Sequence, residues 1–149
     1  MADAYTVALT LLSARELSEA QLRTRLKRRQ IDEKDIDSAI SRLKEDRTLN
    51  DRRVAVAIAR MESAIKHRGR SRVIQKIRQA GINSDTADDA VREVFEEVDE
   101  QALLDRALER KLRGTPSKDL DDKGKARIVR ALAGQGFRLD AILQRLKLQ

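Results

Sequence analysis

The sequence predicts an all-α protein built from three tandem three-helix repeats. An apolar pattern with successive spacings of 4, 5, 5 and 4 residues occurs three times along the chain. Only 2% of the residues are aromatic, there is one proline, and residues with high helix propensity are abundant. The three runs are Leu22, Leu26, Ile31, Ile36 and Ile40; Val73, Ile77, Ile82, Ala87 and Val91; and Ile128, Leu132, Phe137, Ile142 and Leu146.

The spacing within each run indicates two helices joined by a tight turn. Residues four apart lie one above the other on a helix, whereas a spacing of five across a break marks the passage to the next helix. About 50 residues separate successive turns, which leaves room for a third helix in each repeat. Repeats of this kind bury a core by stacking on their neighbours. We therefore expect three-helix repeats at residues 1–50, 51–100 and 101–149.

Capping residues and glycines indicate where the helices begin and end. In the first repeat, Ser18 and Asp32 are placed to accept hydrogen bonds from the unpaired amides of the turn that follows. In the second repeat, Gly69 and Gly81 end helices, and Asn83 is the counterpart of Asp32. The predicted helices cover residues 5–14, 19–29, 33–46, 51–67, 71–80, 84–96, 101–112, 123–135 and 139–148.

The turn between the second and third helix of each repeat is held by Gln30, Gly81 or Gly136. A residue that ends a helix in the left-handed conformation is easiest as glycine, so Gln30 should cost about 1 kcal/mol relative to its counterparts. The residue after the turn is apolar each time, as expected for a side chain that packs back between its own helices. The one strong linker signal is the segment 114–121, in which Pro116 cannot continue a helix.

The chain carries no recognisable catalytic or metal-binding motif. There is no cysteine, and the lone histidine, His67, has no second histidine with which to share a metal ion. Neither a Gly-x-Ser-x-Gly turn nor a Gly-x-x-x-x-Gly-Lys phosphate loop occurs. The carboxylates of residues 88–97 line one helix, which favours a solvated or docking face over a metal site. We expect a protein that is not an enzyme and needs no cofactor.

Neither secretion nor membrane insertion is predicted. The chain begins Met-Ala-Asp-Ala-Tyr, without a basic stretch leading into an apolar run. No apolar stretch approaches the ~18 residues of a membrane helix, and the lack of cysteine gives no sign of an oxidising compartment. A cytoplasmic location is the expectation.

The net charge of +7 is unevenly distributed along the chain. Residues 52–78 contain nine Lys and Arg residues against one acid, Glu62, whereas residues 79–100 contain eight acids against one base, Arg92. Basic clusters attract phosphate backbones or acidic protein surfaces over roughly 8 Å at physiological salt. A solvated helix face is the alternative interpretation of the same residues.

The candidate binding residues lie mainly on the second helix of each repeat. On the first of these helices Leu22 and Leu26 point inward, which leaves the basic side chains on its flanks and outer face. Because the repeats stack, the basic sets could line up as a discontinuous positive band along the array. The candidates are Arg23, Arg25, Lys27, Arg28, Arg68, Arg70, Arg72, Lys76, Arg78, Lys123, Lys125, Arg127 and Arg130.

Any direct contact with DNA is expected to be to phosphates. A sequence-specific helix-turn-helix reader places Asn, Gln or Arg on one recognition helix and usually binds as a dimer, whereas the basic sets here differ between repeats. There is no group of aromatic residues to stack on bases. The charge therefore indicates weak, salt-sensitive binding to single- or double-stranded DNA.

Several motifs, in a fixed order, resemble the RecX family of recombination regulators. The likeness extends from about Tyr5 to Leu146, and it follows the threefold arrangement of the helices. The matching segments are Leu12-Ser13-Ala14-Arg15-Glu16-Leu17-Ser18, Leu49-Asn50-Asp51-Arg52-Arg53-Val54-Ala55, Arg68-Gly69-Arg70-Ser71-Arg72-Val73-Ile74, Lys125-Ala126-Arg127-Ile128 and Gln135-Gly136-Phe137.

The resemblance implies three tandem three-helix units in an elongated, curved array that regulates the RecA recombinase. Members of the family bind the RecA nucleoprotein filament and limit its growth, ATP hydrolysis and strand exchange, without catalysis of their own. The implied role lies in recombination, DNA repair and the SOS response, and a monomer is expected. The alternative is a general DNA-binding helical protein, without sequence specificity, that acts by competition for DNA.

Overall fold

Nine α-helices form the described part of the chain. The computed structural model describes residues 3–147, and no strand occurs among them. The prediction of an all-α protein is confirmed. The helices are α1 (Ala4–Ala14), α2 (Glu19–Arg28), α3 (Glu33–Glu45), α4 (Asp51–Arg60), α5 (Arg70–Gln79), α6 (Ser84–Phe95), α7 (Glu100–Leu112), α8 (Asp122–Gly134) and α9 (Leu139–Arg145).

The helices form three groups, here called unit one (α1–α3), unit two (α4–α6) and unit three (α7–α9). Each unit has its own buried cluster of apolar side chains, and that of unit two also takes in Leu103 from α7. All of the repeated apolar positions are buried except Ile31 and Phe137, which are partly buried. Phe137 packs against the cores of both unit two and unit three. The tandem three-helix arrangement is confirmed, whereas the boundaries at 50/51 and 100/101 stay predictions.

Side-chain caps begin several of the helices. Ser18 accepts a hydrogen bond from the backbone N–H of Gln21, and the Gln21 side chain accepts one in return from the N–H of Ser18. Asn83 accepts from the N–H of Thr86 in the same way. The prediction is wrong for Asp32, whose side chain makes no capping hydrogen bond. This end of α3 is exposed, so water can satisfy its first amides instead.

The three turn residues adopt the expected left-handed conformation. The φ angles of Gln30, Gly81 and Gly136 are 61°, 83° and 100°. The prediction for Gly69 is wrong, because this residue precedes α5 with a φ of −80° instead of ending a helix. The left-handed residue at the end of the first helix of unit two is His67, with a φ of 53°. Gly69 owes its identity to a close approach by unit three.

Helix α4 continues into a wider final turn, the π-helix Met61–Ile65. The helix predicted over 51–67 therefore ends near Lys66. Within the turn Glu62 is only 3% exposed, and its carboxylate lies 3.4 Å from the Lys66 ammonium and 3.5 Å from the Arg68 guanidinium. A buried carboxylate with two cationic partners thus joins the end of this helix to the loop that follows.

The end of the chain departs slightly from the prediction. The segment 114–121 contains the short 3-10 helix Ser117–Asp119 before α8 begins. The last predicted helix, 139–148, ends at Arg145, and Leu148 lies outside the described residues.

Candidate partner-binding surface

The second helices of the three units, α2, α5 and α8, meet end to end. At the first meeting point the start of α2 contacts the end of α5. The buried hydroxyl of Ser18 donates a hydrogen bond of 2.5 Å to the carbonyl of Ala80. Beside it, the backbone N–H of Glu19 donates to the carboxylate of Asp51 at 2.8 Å. We call this contact the Ser18 junction.

The second meeting point, here called the Gly69 junction, joins the start of α5 to the end of α8. The backbone N–H of Gly69 donates to the carbonyl of Gln135 at 2.8 Å, and the hydroxyl of Ser71 donates to the carbonyl of Gly136 at 3.1 Å. A Cβ at Gly69 would lie 2.5 Å from the carbonyl carbon and oxygen of Gly136. The two glycines therefore allow main chain to pack directly on main chain.

The two junctions place the basic helices in one row, in the order α8, α5, α2. These helices have 13, 10 and 10 residues, which at a rise of 1.5 Å per residue gives about 50 Å of helix. The basic side chains of the three units thus lie on helices that follow one another in space. Their action as one binding band stays a prediction.

Most of the candidate side chains in this row are available to a partner. The group below makes neither an ion pair nor a side-chain hydrogen bond within residues 3–147, and only Lys76 and Lys125 in it are partly buried. Exposed, unpaired cations can contact phosphate or carboxylate groups without first losing an internal partner. The group comprises Arg25, Lys27, Arg28, Lys76, Lys123, Lys125, Arg127 and Arg130.

The other candidates are held by neighbouring groups. Arg23 contacts the carboxylates of Glu19 and Asp37 at 3.3 and 2.6 Å. Arg70 contacts Glu100 at 2.7 Å. Because these guanidinium groups already have partners, they are less available for binding than their sequence positions indicate. The remaining held side chains are Arg68, Arg72 and Arg78, which contact Glu62, Gln75 and Ser84.

The ion pairs around Glu19 also shift its titration. Partial burial acts to raise the pKa of the Glu19 carboxyl, but the hydrogen bonds from Lys44 and Arg23 outweigh it and hold the pKa below its ordinary value. The hydrogen bond to Asp37 raises the pKa of Arg23. These groups therefore remain charged and paired at neutral pH.

Sequence reasoning named Arg68 but missed the second basic group to which it belongs, which lies at or just beyond the ends of the first helices of two units. Its members follow α4 or stand at the end of α7, and only the contact between units two and three brings them together. Because residues 66–68 and 110–113 are far apart in the sequence, no local pattern indicates that they share a surface. They line a cavity of about 480 Å³, called the basic cavity, whose basic lining residues are Lys66, His67, Arg68, Arg110, Lys111 and Arg113.

The described residues contain neither a cluster of metal ligands nor a helix suited to a membrane. No group of three or more His, Asp or Glu side chains within residues 3–147 is placed to hold a metal ion. No helix in this part of the chain is long and apolar enough to cross a membrane.

Comparison with known proteins places the chain in a family. A family model described as RecX, first three-helix domain, matches residues 4–43. A protein of Syntrophotalea carbinolica named Regulatory protein RecX is 30% identical over 142 residues, which cover 95% of this chain and 93% of that protein. The chain belongs to the RecX family. Another member, from Chlorobaculum tepidum, is 29% identical over 141 residues.

Other members of the RecX family differ in length. A Streptococcus pneumoniae protein of the same name is 32% identical over 132 residues, which cover 88% of this chain but 49% of that protein. Two RecX crystal structures, one of them from Lactobacillus salivarius, match 97% of this chain with a TM-score of 0.82 at 21% and 22% identity. The solved structures support the fold, and the curated relatives are named as regulatory proteins rather than as enzymes.

Proposed function

We propose that this protein binds the nucleoprotein filament of the RecA recombinase and limits its growth, ATP hydrolysis and strand exchange. Membership of a family whose proteins are named regulatory supports a regulatory role. The observation that carries the proposal is the row α8, α5, α2, in which three basic helices follow one another. A row of similar elements suits a filament, because a filament presents the same surface repeatedly.

Several weak contacts along such a row combine into a strong one. Once one unit is bound, the next unit is held near its own site at a high effective concentration, so that overall affinity exceeds that of any single contact. The acidic side of unit two offers a second kind of contact, since Asp88, Asp89 and Glu93 are exposed on α6. Opposite charges on one unit suit a surface in which DNA and protein alternate.

A second candidate function is general DNA binding that competes with the recombinase for its substrate. The net charge of +7 and the unpaired basic side chains favour it. Such a binder should lose affinity steeply with salt, with a log–log slope of about 0.7 to 0.9 for each neutralised phosphate.

The two functions are separated by the single-strand-dependent ATPase rate of the cognate RecA. The protein is titrated well below one copy per recombinase protomer, and the titration is repeated with excess free DNA. A fall in rate at substoichiometric amounts that survives the added DNA supports action on the filament. A fall that needs near-stoichiometric coating of the DNA, and that more DNA relieves, contradicts it and favours competition.

The same assay tests the row of basic helices. Two triple variants, R25E/K27E/R28E on α2 and K125E/R127E/R130E on α8, should each raise the amount needed for half-inhibition by about tenfold or more, because multivalent contacts are lost together. The control R15E/K34E/K118E reverses three exposed charges outside the row. Equal losses in all three variants would mean that only net charge matters.

A further inference from the structure

We propose that the basic cavity between units two and three binds a phosphate of a nucleic-acid backbone. The proposal rests on the second candidate function above, general DNA binding, and assigns to it a site that requires no recombinase. All of its basic lining residues lie outside the row α8, α5, α2, at or just beyond the ends of the two first helices, α4 and α7, and only Gln135 at the end of α8 belongs to the row.

The charge of the cavity is strongly positive. Five Lys and Arg side chains and His67 line it, and no carboxylate of residues 3–147 does. One buried acid, Glu62, contacts Lys66 and Arg68 from within the fold. Five cationic groups against one carboxylate leave an excess of four positive charges around one concavity. A concave surface with low-dielectric walls focuses such a potential and raises the local concentration of anions.

The helix ends at this site reduce the excess without removing it. Helix α4 with its π-helical turn, helix α7 and helix α8 all end beside the cavity, since Gln135, the cap of α8, lines it; the carbonyls at each end carry about half a negative charge. Arg110 and Lys111, in the last turn of α7, complement these carbonyls. About one and a half units of negative charge from three helix ends remain well below the positive excess.

Donors for an oxoanion are present in the lining. Glu62 holds Arg68 through its Nε atom, whereas the Nη1 atom of the same side chain is enclosed and has no hydrogen-bond partner among residues 3–147. Arg110, Lys111 and Arg113 make no ion pair within the same part of the chain. Buried donors in proteins nearly always have an acceptor, and the planar fork of arginine matches the oxygens of a phosphate group.

The surroundings favour a nucleic-acid backbone over a base or a single anion. No Phe, Tyr or Trp lines the cavity, so it offers no platform on which a base could stack. Gln135, which lines the cavity, also accepts the hydrogen bond from Gly69 that joins α8 to α5. The cavity therefore adjoins the row of basic helices, and a strand with regularly spaced phosphates can contact both surfaces at once.

The test is binding of the full-length protein to fluorescein-labelled oligothymidylate of about 20 nucleotides, followed by fluorescence anisotropy at several salt concentrations without recombinase. The variant R110Q/K111Q/R113Q removes three charges from the cavity, and R15Q/K34Q/K118Q removes three exposed charges elsewhere. We expect the cavity variant to bind about fivefold or more weakly than the control and to lose about 0.7 in salt slope for each phosphate contact removed. Equal affinities and slopes for the two variants would overturn the proposal.

Amide chemical shifts of the unmodified protein locate the contact and identify the ligand class. Titration with the oligonucleotide should shift the signals of residues 66–68 and 107–113. Polyglutamate of matched charge, added afterwards, should not displace the bound oligonucleotide. The proposal is wrong if the oligonucleotide shifts only signals elsewhere, or if polyglutamate binds these residues and the oligonucleotide does not. It is also wrong if inorganic phosphate alone occupies the cavity without competing with the oligonucleotide, because the site would then serve a free anion.

Discussion

The two junctions between the units join equivalent positions with different chemistry. At each, the first residue of a second helix meets the acidic first residue of the next unit's first helix. In the Ser18 junction the backbone N–H of Glu19 donates to Asp51 at 2.8 Å. In the Gly69 junction the guanidinium of Arg70 donates to Glu100 at 2.7 Å. The repeat thus preserves which positions meet, while the donor changes from main chain to side chain.

The residue just before the second helix shows the larger difference. Ser18 uses its side chain, whose hydroxyl donates to the carbonyl of Ala80. Its counterpart Gly69 has no side chain, and its own backbone N–H donates to Gln135. In the Gly69 junction the backbone of Gly136 occupies the space that a Cβ would need. The Gly69 junction is therefore the less tolerant of substitution.

The largest effect is expected from Gly136→Ala. A Cβ at Gly136 would overlap the backbone nitrogen of Arg72, and the φ of 100° is one that alanine rarely adopts. We expect a loss of about 3 kcal/mol or more in the free energy of unfolding, measured with urea. The control is Gly134→Ala, two residues earlier, where no atom lies within 4 Å of a Cβ. It should change stability by under about 1 kcal/mol; similar losses for both would contradict the close approach.

In the Ser18 junction the expected effect is smaller. Ser18→Ala removes a buried donor and leaves the carbonyl of Ala80 without its partner, so we expect a loss of about 1 to 3 kcal/mol in the same urea measurement. Ser41→Ala, at an exposed position on α3, serves as the control and should be nearly neutral. A neutral Ser18→Ala would show that water replaces the hydroxyl.

A substitution at Gln30, at the free end of the row, is expected to stabilise the protein. Gln30 has a φ of 61° and is exposed, and within residues 3–147 neither unit two nor unit three packs on it. Gln30→Gly should stabilise the protein by about 0.5 to 1 kcal/mol in thermal or urea unfolding, because glycine adopts this conformation without strain. Gly81→Ala should do the opposite, since its Cβ would lie 2.5 Å from that of Ala20. A destabilising Gln30→Gly would mean that the glutamine side chain makes a contact of its own.

The smallest effect concerns pH and the ion pairs of Glu19, which lie within unit one beside the Ser18 junction. The pKa of Glu19 in the folded state is below its ordinary value, so its contribution is present at neutral pH and is lost as the pH falls through and below about 4.5. We expect Glu19→Gln to remove up to about 1 kcal/mol of stability at pH 7 and little at pH 3. Glu45→Gln, at an exposed position on α3, is the control. An identical pH dependence in both variants would exclude a role for the Glu19 ion pairs.

Local signals in the sequence predicted the elements well. The repeated apolar spacing identified the core positions, Ser18 was identified as a cap, and the turns at Gln30 and Gly81 were placed correctly. These features depend on residues within a few positions of one another, so a short stretch of sequence contains the information.

What the sequence did not show depends on contacts between distant residues. The sequence predicts a helix end at Gly69, whereas the structure shows unit three packed against this glycine at the start of α5. Of the candidate binding residues, Arg23 and Arg70 proved to be paired with acids. The basic cavity was missed because Lys66 and Arg113 belong to different units. Side-chain availability and shared cavities follow from tertiary packing, which spacing along the chain does not encode.

The direction of the row has a consequence for synthesis on the ribosome. Each junction joins the start of one second helix to the end of the second helix of the following unit. The residue that supplies the acceptor carbonyl is therefore synthesised after the residue that supplies the donor. Unit one emerges first, yet the carbonyl that its Ser18 hydroxyl contacts is supplied by unit two. In the same way, the backbone N–H of Gly69 in unit two has its acceptor only after Gln135 of unit three has been synthesised. Consolidation therefore follows the direction of synthesis with a lag of one unit: the Ser18 junction can form once Ala80 has emerged, and the Gly69 junction only once Gln135 has emerged.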